Sequence, residues 1–491
     1  MSQFGVLLAV GLVQLVCGTD AALPSSAAVL SDGKRAFEKW AVATPVDNCG
    51  WTGGTFLLGA IEYYKATDEV GVGDAAVLNY AIKWAASYDY QICGGGASQD
   101  NSSSAAGGAV GSDGTCATAQ NAVFDRGTNL PGGDDAKTAA DCCAACQADP
   151  KCKSWNVHGR CFLHPEVGKV IREQGSIAGV PSGTLPPLPP PSPPSPSHSQ
   201  QHNANNQLCG ATYVELFKLT GKKNSTMLAN TAAVIEAEIA EGHSSDGLWS
   251  WVDAIHMAMQ TFARMGNVTG DAKYFDKQFA NFNASVLAKA VPHESTYQFW
   301  NTSDELFYRD DRFLGTQAYW SRGNGWAISA VVAALEWGVS ADPHYEVYLG
   351  IFKQHAAKLK SIQYPDGAWR SSLLNVTANG GACGWSGGKG VPCNPVPETT
   401  GTANFCYALA WGINSGILPS DDYLPVVTKA WAWLSQTALH ADGFVGNCQP
   451  GGASPENNFG SNSTNNFCIG QFLLASSQVS RLAAAAAATR Q

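Results

Sequence analysis

Residues 320–337 read WSRGNGWAISAVVAALEW, a glycine- and tryptophan-rich segment running without a break into a long apolar stretch. From Ala327 to Trp337 the apolar side chains recur with the spacing of a helix that buries most of its surface. Ahead of it, Arg322 lies between the indoles of Trp320 and Trp326, and Gly323 and Gly325 suit a tight turn, so the motif reads as a loop leading into a helix. A planar guanidinium flanked by aromatic faces is suited to holding a sugar carboxylate. The same residues also fit a helix-start turn with two core tryptophans and a surface arginine, and the segment alone does not decide between the two.

Helical spacing recurs on both sides of this segment. It appears at Phe56–Tyr64, Leu78–Tyr88, Tyr213–Leu219, Asn230–Ala240, Ala254–Met265 and Phe275–Leu287. Beyond the segment it returns at Tyr345–Ile362, Thr402–Ile413, Tyr423–Leu434 and Phe467–Leu482. Long alternating β-branched runs are absent, so the class is all-α. Asp246-Gly-Leu-Trp249, Asp366-Gly-Ala-Trp369 and Asp442-Gly-Phe444 stand before or between helices as a faint, irregular repeat. Repeated helix pairs with aromatic loops at one end suggest an (α/α)-barrel with a cleft at that end. Asp-Gly alone only marks a turn; the aromatic that follows each one needs a further reason.

The chain has 491 residues, of which 45% are hydrophobic and only 14% charged, with 52 Gly and 15 Trp. Its net charge of −10 argues against nucleic acid as a partner. It does not argue against an anionic sugar, since one arginine in a pocket outweighs diffuse surface charge. Phe4–Val16 is a short apolar run followed by small residues, which predicts a signal peptide over residues 1–22, although a basic start is missing. No later run is long and apolar enough for a transmembrane helix. Asn-x-Ser/Thr sequons at Asn101, Asn224, Asn267, Asn283, Asn301, Asn375 and Asn462 fit the secretory route. Of 15 cysteines, Cys17 would leave with the signal, and the even remainder fits disulfides in an oxidising compartment. The expected location is extracellular.

Composition changes abruptly between Cys93 and His202. A Gly/Ser-rich linker is expected at 93–115, a cysteine-dense module at 116–180 and a polyproline spacer at 181–202. These would interrupt one catalytic domain formed by 23–92 and 203–485. Cys93 and Cys209 flank the insertion, and a bridge between them would pin its base. Thr138–Trp155 (TAADCCAACQADPKCKSW) and Gly159–Leu163 (GRCFL) resemble the PAN/apple module. The resemblance implies a small α+β unit, a helix carrying Cys-Cys-x-x-Cys across a sheet, held by disulfides and without catalytic residues. It also implies a binding role, with polymeric glycan or cell wall as candidate partner. A zinc site at Cys142, Cys146 and Cys152 is the competing reading, disfavoured in a secreted chain without a nearby histidine pair.

Five blocks carry a second resemblance: Trp249-Ser-Trp-Val-Asp253-Ala, Leu306-Phe-Tyr-Arg-Asp310, Trp320–Trp326, Asp366–Leu374, and Glu398–Ala403 followed by Tyr407–Asn414. Together they resemble glycoside hydrolase family 105, the unsaturated rhamnogalacturonyl hydrolases, and the related unsaturated glucuronyl hydrolases. The resemblance implies an (α/α)6 barrel acting on oligosaccharides that carry a 4,5-unsaturated uronic acid at the non-reducing end. The reaction it implies is hydration of a vinyl ether, outside the usual two-carboxylate scheme. It assigns Asp253 as general acid, and Arg322 and Trp326 as carboxylate and stacking partners of the substrate. Asp253 equally suits a helix N-cap. Trp251, His256 and Asn206 are further substrate-binding candidates, although His256 also reads as a packed histidine. Met257 and Met259 read as core. Arg370 and Glu398 fall in family blocks but also suit a structural ion pair. No metal or cofactor is implied.

Two departures stand out. Where the family commonly has an acidic pair after a histidine, this chain has Asn205-Asn206, and an amide cannot take a proton. Arg309 stands where many members carry histidine. A catalytically impaired glycan-binding protein on the same scaffold is therefore the alternative reading.

Overall fold

The computed structural model describes residues 23–43, 50–92, 116–124, 130, 139–158, 160–167, 170–181, 203–241, 249–287, 297–338, 342–374, 395–457 and 459–488. The expected signal peptide, both linkers, Cys93, Asp246 and the sequons Asn101 and Asn375 lie outside them. Among the described residues no helix is long and apolar enough to cross a membrane.

Six helices close into an inner ring: α2 (Trp51–Glu69), α5 (Ala204–Leu219), α7 (Val252–Thr269), α9 (Ser321–Trp337), α11 (Thr399–Asn414) and α13 (Asn466–Ala488). Each packs on the next, and α13 returns to α2. Six more lie outside: α1 (Ser26–Ala43), α3 (Ala75–Ser87), α6 (Thr226–Glu241), α8 (Lys273–Phe282), α10 (Tyr345–Ser361) and α12 (Ser420–Trp433). Five of these pack on the inner helix preceding them, while α1 packs on α13 and closes the circle from the other chain end. This is the expected all-α, (α/α)6 architecture.

The sequence makes inner helices by making them apolar or small on every side. In α9 every residue from Ser321 to Leu335 is buried. Close approach needs missing side chains: a Cβ on Gly59 of α2 would lie 1.9 Å from the Gly470 carbonyl of α13. Outer helices carry a polar face, and α3, for instance, buries only Val77, Ala81, Trp84 and Ala85.

The opening motif is helical from Ser321 onward, which corrects the expected loop. Its glycines serve contact instead of a turn. A Cβ on Gly323 would come 2.9 Å from the Trp320 ring, and one on Gly325 would come 2.9 Å from Asn404 of α11. Helix α5 likewise starts at Ala204, well before Tyr213, because the Asn203 side chain caps it by accepting from the Asn205 N–H at 3.0 Å. Periodicity did not mark α1.

The Asp-Gly turns form as expected. Gly367 and Gly443 take positive φ of 92° and 86°, beside aspartates that accept from the second N–H onward. The aromatic after the first of these is core: Trp369 is buried edge-on to Phe405 at 5.2 Å.

The inner helices end around a buried charge network. The Arg264 guanidinium donates to Glu215 at 3.0 Å and Gln260 at 2.6 Å and pairs with Glu62 at 3.4 Å, while Lys65 joins Glu62 and Glu215. Beside it a cavity of about 290 Å³ is lined by Glu62, Glu336, Asn414 and Arg481 among others. Burial, then the charge of Glu62, pushes the Glu336 carboxyl up to about 7 from 4.5. The folded chain therefore holds a proton there that the unfolded chain releases, so stability falls as pH rises between those values. Glu336→Gln is expected to match the parent at pH 4 and to exceed it by about 2 kcal/mol at pH 8, read from urea unfolding. Equal stability at both pH values would refute this.

The insertion folds into a four-stranded antiparallel sheet, order β1-β4-β2-β3, formed by Ala117–Phe124 (β1), Ser154–His158 (β2), Arg160–His164 (β3) and Val170–Val180 (β4). Helix α4 (Ala139–Ala148) carries three of its cysteines. Disulfides join Cys116–Cys143, Cys142–Cys161 and Cys146–Cys152, so the zinc alternative falls. The module has its own core around Trp155 and Leu163. Its polar clasp is Asn156, whose side chain bonds both backbone groups of Phe124 and His164 Nε2. The suggested Cys93–Cys209 bridge involves Cys93, which lies outside the described residues; Cys209 Sγ lies 3.2 Å from the Asn206 carbonyl. Cys209 itself sits within α5 and is buried.

Candidate functional site

The inner helices all begin at one end, which makes that end a mouth. Trp51 of α2 packs on Phe467 of α13 at 4.8 Å. Phe467 in turn lies 5.0 Å from the Arg322 guanidinium of α9. A Cβ on Gly401 of α11 would strike Ser321 Oγ of α9. Helix starts carry partial positive charge and unpaired N–H groups, so this mouth favours an anion.

Three loops wall it. The first, 297–320, holds the short hairpin Trp300–Asn301 (β5) and Leu306–Phe307 (β6). Its Arg309 carbonyl accepts the Val252 N–H at 2.7 Å, fixing the loop to the start of α7. The second leads into α11, where Glu398 accepts from Thr400 and Gly401 N–H at 2.9 and 2.6 Å. Glu398 is thus a helix cap, and the suggested ion pair is not what it makes. The third, 439–465, is tied down by the Cys448–Cys468 disulfide. Arg370 does pair locally, with Asp366 at 2.9 Å, and lies over the Tyr364 ring.

Asp253 stands in the first turn of α7, half-buried at this mouth, between Trp249 and Trp251 and the body of the helix. It is not the cap, because Trp251 occupies that position and makes no side-chain cap bond. The Asp253 Oδ2 accepts from Arg309 Nε at 3.2 Å. Arg309 Nη1 also donates to Asp310 Oδ2 at 2.5 Å, and Arg312 donates to both Asp310 oxygens at 2.9 and 2.6 Å. Asp310 is accordingly held well ionised, its burial outweighed by the two arginines.

Arg322 is only 1% exposed. Its Nη1 donates to the Gln449 carbonyl at 2.8 Å, and Nη2 donates to the Pro450 and Gly452 carbonyls at 3.0 and 3.2 Å. The guanidinium lies 4.5 Å from the Trp320 ring, and Nε alone has no partner. Burial lowers its pKa to about 10, against the opposing charges of Glu398 and Asp253. Trp320 is also structural: its indole N–H donates to Gln449 Oε1 at 2.7 Å.

Trp326 is fully buried, its ring 4.8 Å from that of His256, and its indole N–H has no partner. His256 is likewise buried, and burial, then the charge of Arg264, drives its pKa down to about 3, so it is neutral. Met257 and Met259 are core, as read. Trp251 is half-buried and packs against the core. Asn205 and Asn206 occupy the first turn of α5 at the same mouth, and Asn205 Oδ1 is buried without a partner.

The structure thus gathers Asp253, Trp251 and Asn206 at the starts of neighbouring inner helices, with Trp326 and His256 packed deeper inside. The Arg309–Asp310–Arg312 cluster was not among the expected site residues, although Arg309 had been marked as a departure. Gln449 and Phe467 carried no local signal, since their roles come from a loop and a helix more than a hundred residues from Arg322.

Comparison with known proteins bears on what this mouth does. An "Unsaturated 3S-rhamnoglycuronyl hydrolase" of Formosa agariphila is 30% identical over 310 residues, covering 58% of this chain and 75% of that protein. A solved glycosyl hydrolase family 88 structure from Bacteroides vulgatus superposes with a TM-score of 0.60 at 23% identity, covering 94% of this chain and 100% of that one. A glycoside hydrolase from family 105 of C. acetobutylicum gives a TM-score of 0.52 at 15% identity, over 92% of this chain and 98% of that one. Both structural likenesses speak to fold. The sequence profile of Glycosyl Hydrolase Family 88 matches residues 193–483, from just ahead of α5 to within α13, and so shifts the family expectation from 105 to its relative. That match spans five of the six inner helices and every mouth residue discussed above except Trp51: the chain belongs to Glycosyl Hydrolase Family 88 and is a glycosidase.

Proposed function

We propose that the enzyme removes a 4,5-unsaturated uronic acid from the non-reducing end of lyase-generated oligosaccharides by vinyl-ether hydration. The observation that carries this reading is Asp253, a carboxyl group freed from capping and set at the mouth beside the half-buried Trp251. The similarity to a protein named for unsaturated rhamnoglycuronyl hydrolysis supports the substrate class.

In the proposed reaction Asp253 delivers a proton to C4 of the enol ether, and positive charge develops at C5 and the ring oxygen. Water adds at C5 and returns a proton to the Asp253 carboxylate. The resulting hemiketal opens to a ketone, and the next sugar leaves from C1. Trp251 covers a sugar face, Asn206 donates to a hydroxyl, and buried Trp326 and neutral His256 shape the floor. Arg322 holds the 449–452 wall in place. Loss of the enoate ultraviolet absorbance on adding unsaturated uronyl oligosaccharides tests this directly; no loss at micromolar enzyme sinks it. The second reading, an impaired glycan binder, is favoured by Asn205 and Asn206, and saturable binding without turnover would select it.

The insertion is read as a PAN/apple-like binding module in a secreted protein, with residues 1–22 as signal. Replacing residues 97–200 by a short Gly/Ser linker is expected to leave an active barrel, since loop closure depends weakly on length, while reducing retention on polymeric glycan. Loss of folding, or of activity on small oligosaccharides, would make the insertion part of the barrel or its cleft.

A further inference from the structure

We infer that Arg309, not Arg322, receives the substrate's carboxylate, exchanging its ion pair with Asp253 for one with the bound uronate. The inference rests on the proposed reaction and adds the group that sets its specificity for an acidic sugar.

Arg322 is poorly placed for that task. Its two terminal nitrogens serve three backbone carbonyls, its faces lie against Trp320 and Phe467, and 1% of it meets solvent. Turning it toward a ligand would break the three hydrogen bonds by which it holds the 449–452 loop. Arg309 has the opposite character. Its side chain is 19% exposed beside Asp253, which is 14% exposed. Nε holds Asp253 and Nη1 holds Asp310, while Nη2 has no hydrogen-bond partner among the described residues.

Its support is built for aim. The Arg309 backbone is bonded to the start of α7, and Asp310 is itself clamped by Arg312 and caps the following turn. With Nη1 tethered to Asp310, the guanidinium can pivot and present Nε and Nη2 as a fork to a planar carboxylate. The exchange also serves the chemistry. The arriving uronate takes Nε away from Asp253 Oδ2 and leaves that carboxyl oxygen to face the sugar. A histidine at this position could not supply such a fork, which gives the departure at Arg309 a function.

The test compares an unsaturated uronyl disaccharide with its carboxyl methyl ester, on the parent, Arg309→Gln and Arg309→Lys. The ester cannot form the new ion pair, so the ratio of acid to ester reports the contact between Arg309 and the carboxylate. For Arg309→Gln, kcat/KM on the acid is expected to fall on the order of 30-fold further than on the ester, chiefly through KM. Arg309→Lys should restore part of that preference, as a charge without a fork. A parent that consumes neither compound sinks the functional reading and this inference with it. A parent that consumes the acid, with Arg309→Gln losing acid and ester equally or neither, leaves that reading standing and overturns the role of Arg309.

Discussion

Asp253→Asn is expected to fold like the parent and to lose turnover by on the order of 10²-fold or more, the usual cost of removing a general acid. The amide fills the same volume and keeps an acceptor oxygen, but it has no proton to deliver to C4 and cannot take one back from water. Folding should survive because Asp253 is not the cap of α7 and its pair with Arg309 is partly exposed. An ion pair of that kind contributes at most about 1 kcal/mol. Thermal unfolding and enoate absorbance on one preparation separate the two effects. Turnover within a few-fold of the parent would mean that Asp253 only tethers the 308–313 loop, and the acid would have to be sought elsewhere at the mouth.

Arg322→Met is expected to destabilise the barrel by about 3 kcal/mol, because it removes three hydrogen bonds by which a buried guanidinium ties the 449–452 loop to α9. The Pro450 and Gly452 carbonyls lose this donor while the Gln449 carbonyl keeps Asn465 Nδ2, and the indole of Trp320 and the ring of Phe467 lose the cation between them. Arg322→Lys should recover less than half, since one ammonium cannot span the three carbonyls from the position of a fork. Urea unfolding gives the energy, and proteolysis within 449–452 gives the location. Should Arg322→Lys prove as stable as the parent while KM rises only for the acidic substrate, Arg322 would be the carboxylate clamp after all, and the assignment to Arg309 would lose its main support.

Local sequence was sufficient for most of the barrel because inner helices declare themselves. Burial on all sides demands long runs of Ala, Ser, Gly and large apolar residues, as in Ala327–Trp337 and Phe467–Leu482. Helix α1 went unmarked: SAAVLSDGKRAFEKWAVA mixes a glycine and five charged residues into its apolar spacing, and its stability comes from packing on α13. Boundaries shifted for a related reason. Residues 204–207 and 321–325 are helical although small or polar, since neighbouring helices bury most of them and the Asn203 cap starts the first.

Residue type also indicated which groups can do chemistry, and the position of Asp253 behind two tryptophans was readable in one dimension. What each group is free to do was not. Whether an arginine meets a ligand or a carbonyl depends on partners brought from elsewhere in the chain, and Arg322 meets Gln449, Pro450 and Gly452 only after α9, α11 and α13 close the ring. The sequence by itself determined the helical class, the barrel, the inserted cysteine-rich unit and the candidate acid, because those depend on patterns along the chain. Only the tertiary structure decided which cations remain available at the mouth, because hydrogen bonds across the ring, made in a water-poor interior, commit a charged group far more firmly than its neighbours in sequence do.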